Sequence, residues 1–577
     1  MPIKHKYFTV KINNAQRMKK MKFFKALLIT NIIILILIIP GFILLNRYIA
    51  KLNNSNNPDT ARPTSNSNIK DPNDEGLADG KLKEEPIIIP NELQPSFYEF
   101  KWEVLKDKAP ISVNGNVSFP EPEEYNIIEG VTTFRGNNYR NSASYGTVNI
   151  KEEKLEKVWN IKIGRIDTWT GVGWNGQPAI IKWDDNIRAI MNIFDNKKSK
   201  IDLKEVIYGT LDGKIYFLDL EDGKYTRNPI NIGFPIKGSV TVDPRGLPLL
   251  YTGQGIEKNG NVTGKIGFRI FSLIDQRLLL FINGLDNDAY RYWGAFDSTP
   301  LIDAKTDTMY ECGENGILYS VKLNTSFNAN AGIISINPEI LKYRYTSPLL
   351  KKPGMENSIA IYKNLSYFVD NTGYLHCVDL NTFTPRWVRF VNDDTDSTVA
   401  IEAVDEKKVY LYTACEVDHQ KSDGYSYVRK INALNGELVW ENRYQCSYNA
   451  DANGGVLASP VIGKNDIDNL VIYNIARSFN KTGGKLVAFD KETGKEIWVI
   501  DFNHYSWSSP VDIYTKDGKS YLIFCDSAGY MYLIEGKTGK ILDKIPLGGN
   551  VEGSPAVYDD MIVVGTRGQQ IFGIKVK

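Results

Sequence analysis

The side chains with chemistry to offer fall into two groups. Asn449-x-Asp451-x-Asn453-Gly454 begins like a Ca²⁺ loop, with alternating oxygen ligands and a glycine for the turn, but its twelfth position is Pro460 where an EF-hand needs Glu. Asn449, Asp451 and Asn453 are candidate ligands for a hard cation, near an acidic group comprising Asp393, Asp394, Asp396, Glu402, Glu416 and Asp418. The second group is aromatic: Trp169, Trp174, Tyr292, Trp293 and Trp507, interleaved with Asn175 and Asp297. Flat apolar faces beside carboxylates suit a sugar or a peptide.

Other chemical signatures fail. The five cysteines (Cys312, Cys377, Cys415, Cys446 and Cys525) include no adjacent pair and set no disulfide framework. Cys312, Cys415 and Cys525 recur at one place in a repeat, as small buried residues do. The four histidines have no metal-ligand spacing. Gly171-Val172-Gly173-Trp174-Asn175-Gly176 matches a dinucleotide fingerprint by letter, but it runs into a strand where a helix N-terminus is required. No catalytic residue is expected.

The elements that must position these groups repeat. The unit is a small-Ser-Pro start, an apolar run ending in Gly or Cys, an aromatic-rich strand, an Asp and a turn such as Thr-Gly-Lys, often followed by Trp. It is plainest from Ala458-Ser459-Pro460 to Trp498, from Ser508-Ser509-Pro510 to Lys540 and from Gly553-Ser554-Pro555 onward. Anchors placed at 178, 239, 300, 348, 398, 460, 510 and 555 define eight units, each with room for four short strands. An eight-bladed, all-β propeller of four-stranded blades is expected over 155–577. The last unit stops 22 residues after Pro555 and lacks an outer strand, whereas Leu155–Ile163 is an orphan strand, so an N-terminal strand should close the ring. Trp159 sits where Trp387, Trp440 and Trp498 sit in their units, and these four should pack between adjacent blades.

These repeats resemble the pyrroloquinoline-quinone-type (PQQ-like repeat) propellers, a family shared by quinoprotein dehydrogenases and the propeller lipoprotein of the β-barrel assembly machine. Phe134-Arg135-Gly136-Asn137 is similar to the element that often precedes such propellers. The resemblance implies PQQ and Ca²⁺ as possible cofactors. A quinoprotein dehydrogenase of this family would also be expected to carry an adjacent cysteine pair, which this sequence lacks.

The ordinary composition of this 577-residue chain, 42% hydrophobic and 24% charged, excludes wholesale disorder and polytopic membrane classes. Its net charge of +1 gives no reason to expect a nucleic-acid partner. That total hides a division. Residues 1–25 carry Lys4, Lys6, Lys11, Arg17, Lys19, Lys20, Lys22 and Lys25 and no acid; removing these eight from the 69 basic residues leaves 61 against 68 acidic, or −7. Residues 26–45 follow without a charge, long enough as a helix to cross a bilayer at about 30 Å. The run is longer than a signal-peptide core and lacks an A-x-A-like site, so it reads as an uncleaved signal-anchor. The basic tail then stays cytoplasmic and the propeller lies outside the cell membrane of a bacterial-type envelope. Residues 46–85 read as a disordered stalk and 86–154 as a lead-in packing on the propeller. The function expected is a non-catalytic binding scaffold for an envelope protein or cell-wall polymer, the alternatives being a PQQ/Ca-dependent oxidoreductase and a glycan-binding module. In either binding reading Trp169, Trp174, Trp293, Asp297 and Trp507 would line the channel mouth.

Overall fold

The computed structural model describes residues 87–577 apart from 175, 351, 450 and 451. The basic tail, the expected transmembrane segment and the stalk lie outside the described residues, as does Asp451. No helix among the described residues is long and apolar enough to cross a membrane.

Eight antiparallel sheets form the blades of an all-β propeller. Their innermost strands are Ala179–Lys182, Val240–Val242, Leu301–Asp303, Ala360–Tyr362, Ala400–Asp405, Val461–Ile462, Val511–Tyr514 and Ala556–Tyr558. The second and third strands are almost wholly buried, because both of their faces meet a neighbouring blade; Leu470–Ala476, LVIYNIA, is an example. Leu155–Lys162 is the outer strand of the eighth blade, paired from Leu155↔Val576 to Lys162↔Gln570. The ring therefore closes through an N-terminal strand, as the two irregular ends of the repeat predict.

The repeated residues have identifiable physical roles. The Ser or Thr of the anchor reaches sideways: amide donors of Gln177, Thr299, Ser358, Ser459 and Ser509 bond the hydroxyls of Ser239, Ser358, Thr398, Ser509 and Ser554 in the next blade. The terminal Trp does the same further out. Indole N–H groups of Trp159, Trp387, Trp440 and Trp498 donate to the carbonyls of Leu220, Ala433, Lys491 and Gly536 in the following blade. Each ring also covers a turn glycine there, Gly223, Gly436, Gly494 or Gly539, where an added Cβ would come within 2.6–2.8 Å of the indole. Positive φ and this close approach together require glycine.

The fourth anchor differs from its expected place. Thr346-Ser347-Pro348 ends the outer strand Glu339–Thr346 of the third blade, and the Ser347 hydroxyl donates outward to the Tyr98 carbonyl. Ser358, ahead of Ala360–Tyr362, fills the anchor role. The third blade carries an extra hairpin, Ser326–Asn328 with Ile333–Ser335, which delays its outer strand and shifts the apparent repeat.

The lead-in wraps and then fills the ring. Residues 87–90 form no strand and run into 3₁₀ turns at Asn91–Leu93 and Pro95–Tyr98. Lys101–Lys106 extends the outer edge of the third blade, paired from Lys101↔Thr346 to Leu105↔Lys342. Residues 130–148 then cross the channel. Gly130–Val131 pairs with the first inner strand and Ser144–Tyr145 with the eighth. Between them Arg135 donates to the carbonyls of Pro460 and Pro510, and Arg140 to those of Thr299 and Ile359. Thr132 accepts from Val242 N–H, and Asn141 donates to the Ile401 carbonyl. All eight blades are thus tied to one segment, and both arginines are fully buried.

Candidate functional site

From the second blade to the eighth, the anchor hydroxyls fix an equivalent position two residues earlier, at the mouth of the channel. Its occupants are Lys237, Asp297, Glu356, Asp396, Leu457, Trp507 and Glu552. Three consecutive acids follow one lysine. Turns between the second and third strands add Glu314 from the third blade, and the chain after Lys408–Ala414 adds Glu416 and Asp418 from the fifth. Two carboxylate triads result, Asp297–Glu314–Glu356 and Asp394–Asp396–Glu416, the ligand atoms within each lying within 4.8 Å of one another. Asp394, Asp418 and His419 form a third such group on the rim.

The partners available to these acids are few. Lys237 Nζ pairs with Asp297, and Trp293 Nε1 donates to Glu314 Oε2 at 2.6 Å. Asn453 Nδ2 donates to Glu416 Oε2 at 3.1 Å, and Arg291 stacks on Trp293. On the far side Glu552 is already paired with Arg567 at 2.8 Å. Glu314 Oε1 and Asp396 Oδ1, one in each triad, are buried without a hydrogen-bond partner.

Burial and then crowding raise these carboxyls. Burial, then the charges of Glu356 and Asp297, push the Glu314 carboxyl well above the usual range. Burial, then Glu356, does the same to Asp396; Glu416 is raised by burial, then by Asp396 and Asp394. Burial works against the Lys237 ammonium, yet Asp297, Glu314 and Glu356 hold it above the ordinary lysine range. Beneath the mouth Glu311 is pushed up to about 8 by burial, opposed by its Ser298 hydrogen bond and by Arg140.

The aromatic candidates disperse. Trp293 touches the carboxylates, whereas Trp507 Nε1 donates to the Asn453 carbonyl at 3.2 Å and Trp174 Nε1 reaches across the ring to the Leu457 carbonyl at 3.4 Å. Trp169 lies on a separate small hairpin, Arg165–Ile166 with Trp169–Thr170. Of the proposed Ca²⁺ loop, Asn453 faces Glu416, and the Asn449 carbonyl accepts from Ala452 N–H. Glu314 and Glu356 are absent from the sequence-level candidates; the −2 position relative to a correctly placed Ser358 is the signal that finds Glu356.

This donor set fits a hard cation, which takes carboxylate and carbonyl oxygens. It does not fit PQQ. That quinone is a tricarboxylate, and seven acids (Asp297, Glu314, Glu356, Asp394, Asp396, Glu416, Asp418) cluster at the mouth beside Lys237 and Arg291, so its carboxylates would be repelled. All five cysteines are buried free thiols, and burial lifts those of Cys415 and Cys446 to about 11 and about 12, which leaves them unreactive.

Residues 350–499 and 482–577 match the family model described as outer membrane protein assembly factor BamB. The resemblance of the repeats to PQQ-type propellers holds over this span, blades four to eight. Among solved structures, quinohemoprotein alcohol dehydrogenase ADHIIG from Pseudomonas putida HK5 is similar at 13% identity and a TM-score of 0.51, covering 78% of this chain and 80% of that one. BamB from Moraxella catarrhalis is 14% identical with a TM-score of 0.33, covering 73% of this chain and 100% of its own. The quinohemoprotein alcohol dehydrogenase from Comamonas testosteroni is 12% identical with a TM-score of 0.40, covering 78% and 80%. These likenesses concern the fold. No curated protein matches the sequence.

Proposed function

We propose that the protein is a single-pass membrane protein of the cell envelope whose propeller, held outside the cytoplasm, is a non-catalytic binding scaffold that meets another envelope protein at its acidic mouth. The observation that carries this reading is the filled channel. Because residues 130–148 cross it with bonds to every blade, a partner meets a floored, acid-lined depression and no through passage. Carboxylates rimmed by half-exposed Trp293 and exposed Tyr292 suit a segment bearing Lys or Arg, whose charge the acids attract and whose stem the rings cover. The description of the matching family, an assembly factor, supports a protein partner. The uncharged 26–45 run supports the anchor and the outward orientation.

Crosslinking and pull-down from membranes tests it, comparing wild type with Glu314→Gln/Asp396→Asn. The expected result is one dominant partner whose yield falls several-fold in the double variant and with rising salt. Capture indifferent to both would refute the mouth as the docking site. Adding PQQ and Ca²⁺ to the detergent-solubilised chain provides the opposing test: a bound quinone absorbance with dye reduction would replace the scaffold by an oxidoreductase.

A further inference from the structure

We propose that the carboxylate row at the mouth is a binding site for a hard divalent cation of the Ca²⁺ type, spanning Glu314, Glu356, Asp394, Asp396 and Glu416, with Lys237 as a built-in counter-ion at the Asp297 end. The inference deepens the binding reading of the same mouth but needs no partner.

Three observations carry it. Two carboxylate triads, each with ligand atoms within 4.8 Å, come from the third to fifth blades, so rigid inner strands hold them together. Glu314 is only 2% exposed, yet its Oε1 has no hydrogen-bond partner, while Oε2 is fixed by Trp293. A buried acceptor left open costs about 1–3 kcal/mol, more when charged, and a bound cation removes that cost. Finally, the two triads are served differently. Lys237 Nζ pairs with Asp297, whereas Asp394 accepts from Thr395 N–H and Glu416 from Asn453 Nδ2, both neutral donors, and Asp396 Oδ1 is unpartnered. Like charges this close either take up protons or share a multivalent cation. Ca²⁺ accepts six to eight oxygens in flexible geometry, which a row of separate side chains can supply.

The full-length protein in detergent is titrated with CaCl₂ alone by calorimetry, and with TbCl₃ alone while exciting tryptophan. Trp293, hydrogen-bonded to Glu314, is placed to sensitise Tb³⁺ emission. Saturable binding is expected with a Kd of roughly 10⁻⁶–10⁻⁴ M, together with proton release visible in buffers of different ionisation enthalpy. Asp396→Asn and Glu314→Gln should each weaken it at least about tenfold, while Lys237→Met should tighten it by about the same factor. Absence of saturable heat and emission would overturn the proposal, as would emission unchanged in both carboxylate variants. If a carboxylate variant fails to fold, the Lys237→Met titration decides: unchanged or weaker affinity refutes the site. Cation binding without partner capture would refute the scaffold reading alone; capture without cation binding would refute this inference alone.

Discussion

Replacing Arg140 tests whether the lead-in is structurally integral to the ring. Its guanidinium is fully buried and donates Nε to the Ile359 carbonyl at 2.8 Å, Nη1 to the Phe134 carbonyl at 2.8 Å and to Thr133 Oγ1 at 3.0 Å, and Nη2 to the Thr299 carbonyl at 2.6 Å. Arg140→Met fills most of the volume but strands three carbonyls that water cannot easily reach. At about 1–3 kcal/mol for each orphaned group, offset by relief of a buried charge, the net cost is about 3–5 kcal/mol. Unfolding entropy of about 2.1 cal/mol/K per residue over roughly 490 residues is about 1 kcal/mol/K, so Tm falls by about 3–5 °C. Arg140→Lys should recover little, because one ammonium cannot serve donors in a planar fork. Scanning calorimetry of the three proteins decides, with near-UV circular dichroism checking that each has folded. A Tm within 1 °C of wild type for the Met variant, or full recovery by Lys, would refute the account of the plug.

Gly436→Ala should destabilise by about 2 kcal/mol or more, since the turn has φ +78 and the new Cβ would lie 2.8 Å from Trp387; a denaturant melt reads this, and Trp387→Ala in the same chain should relieve part of the clash. Mouth carboxyls, and Glu311 beneath them at about 8, are raised above their unfolded values and bind more protons in the folded state, so without added cation the Tm should fall as pH rises from about 5 through the raised values, and Ca²⁺ should flatten the part of that slope due to the mouth. Glycan recognition, the other binding reading, predicts retention on peptidoglycan that Trp174→Ala or Trp293→Ala weakens; retention unchanged in both variants excludes the mouth as its site.

Much of the architecture is legible because its repeated residues recur for physical reasons that act within a unit or between neighbours. The anchor serine bonds the next blade, and the terminal Trp needs a glycine opposite, so both leave periodic marks. Ring closure is readable for the same reason: Trp159 is a terminal Trp displaced to the other end of the chain. The acidic row is less legible. Its members come from three blades, and the inserted hairpin in the third blade moves the apparent anchor to Pro348, which hides Glu356 from the series. Neither is the role of Arg135 and Arg140 evident, because the blade carbonyls they reach lie 159 to 375 residues away. The tryptophans mark the correct face, but only Trp293 meets the acids.

The strand that closes the ring also imposes a wait. Trp159 pairs opposite Gly573, so Leu155–Lys162 leaves the ribosome roughly 410 residues before its partner exists. At about 5–20 residues per second that interval is about 20–80 s. Throughout it both this strand and the seven blades completed ahead of it present an open edge, which other chains can pair with. Successful biogenesis therefore depends on how that edge is shielded until the last blade arrives, and a chain truncated within blade eight should aggregate.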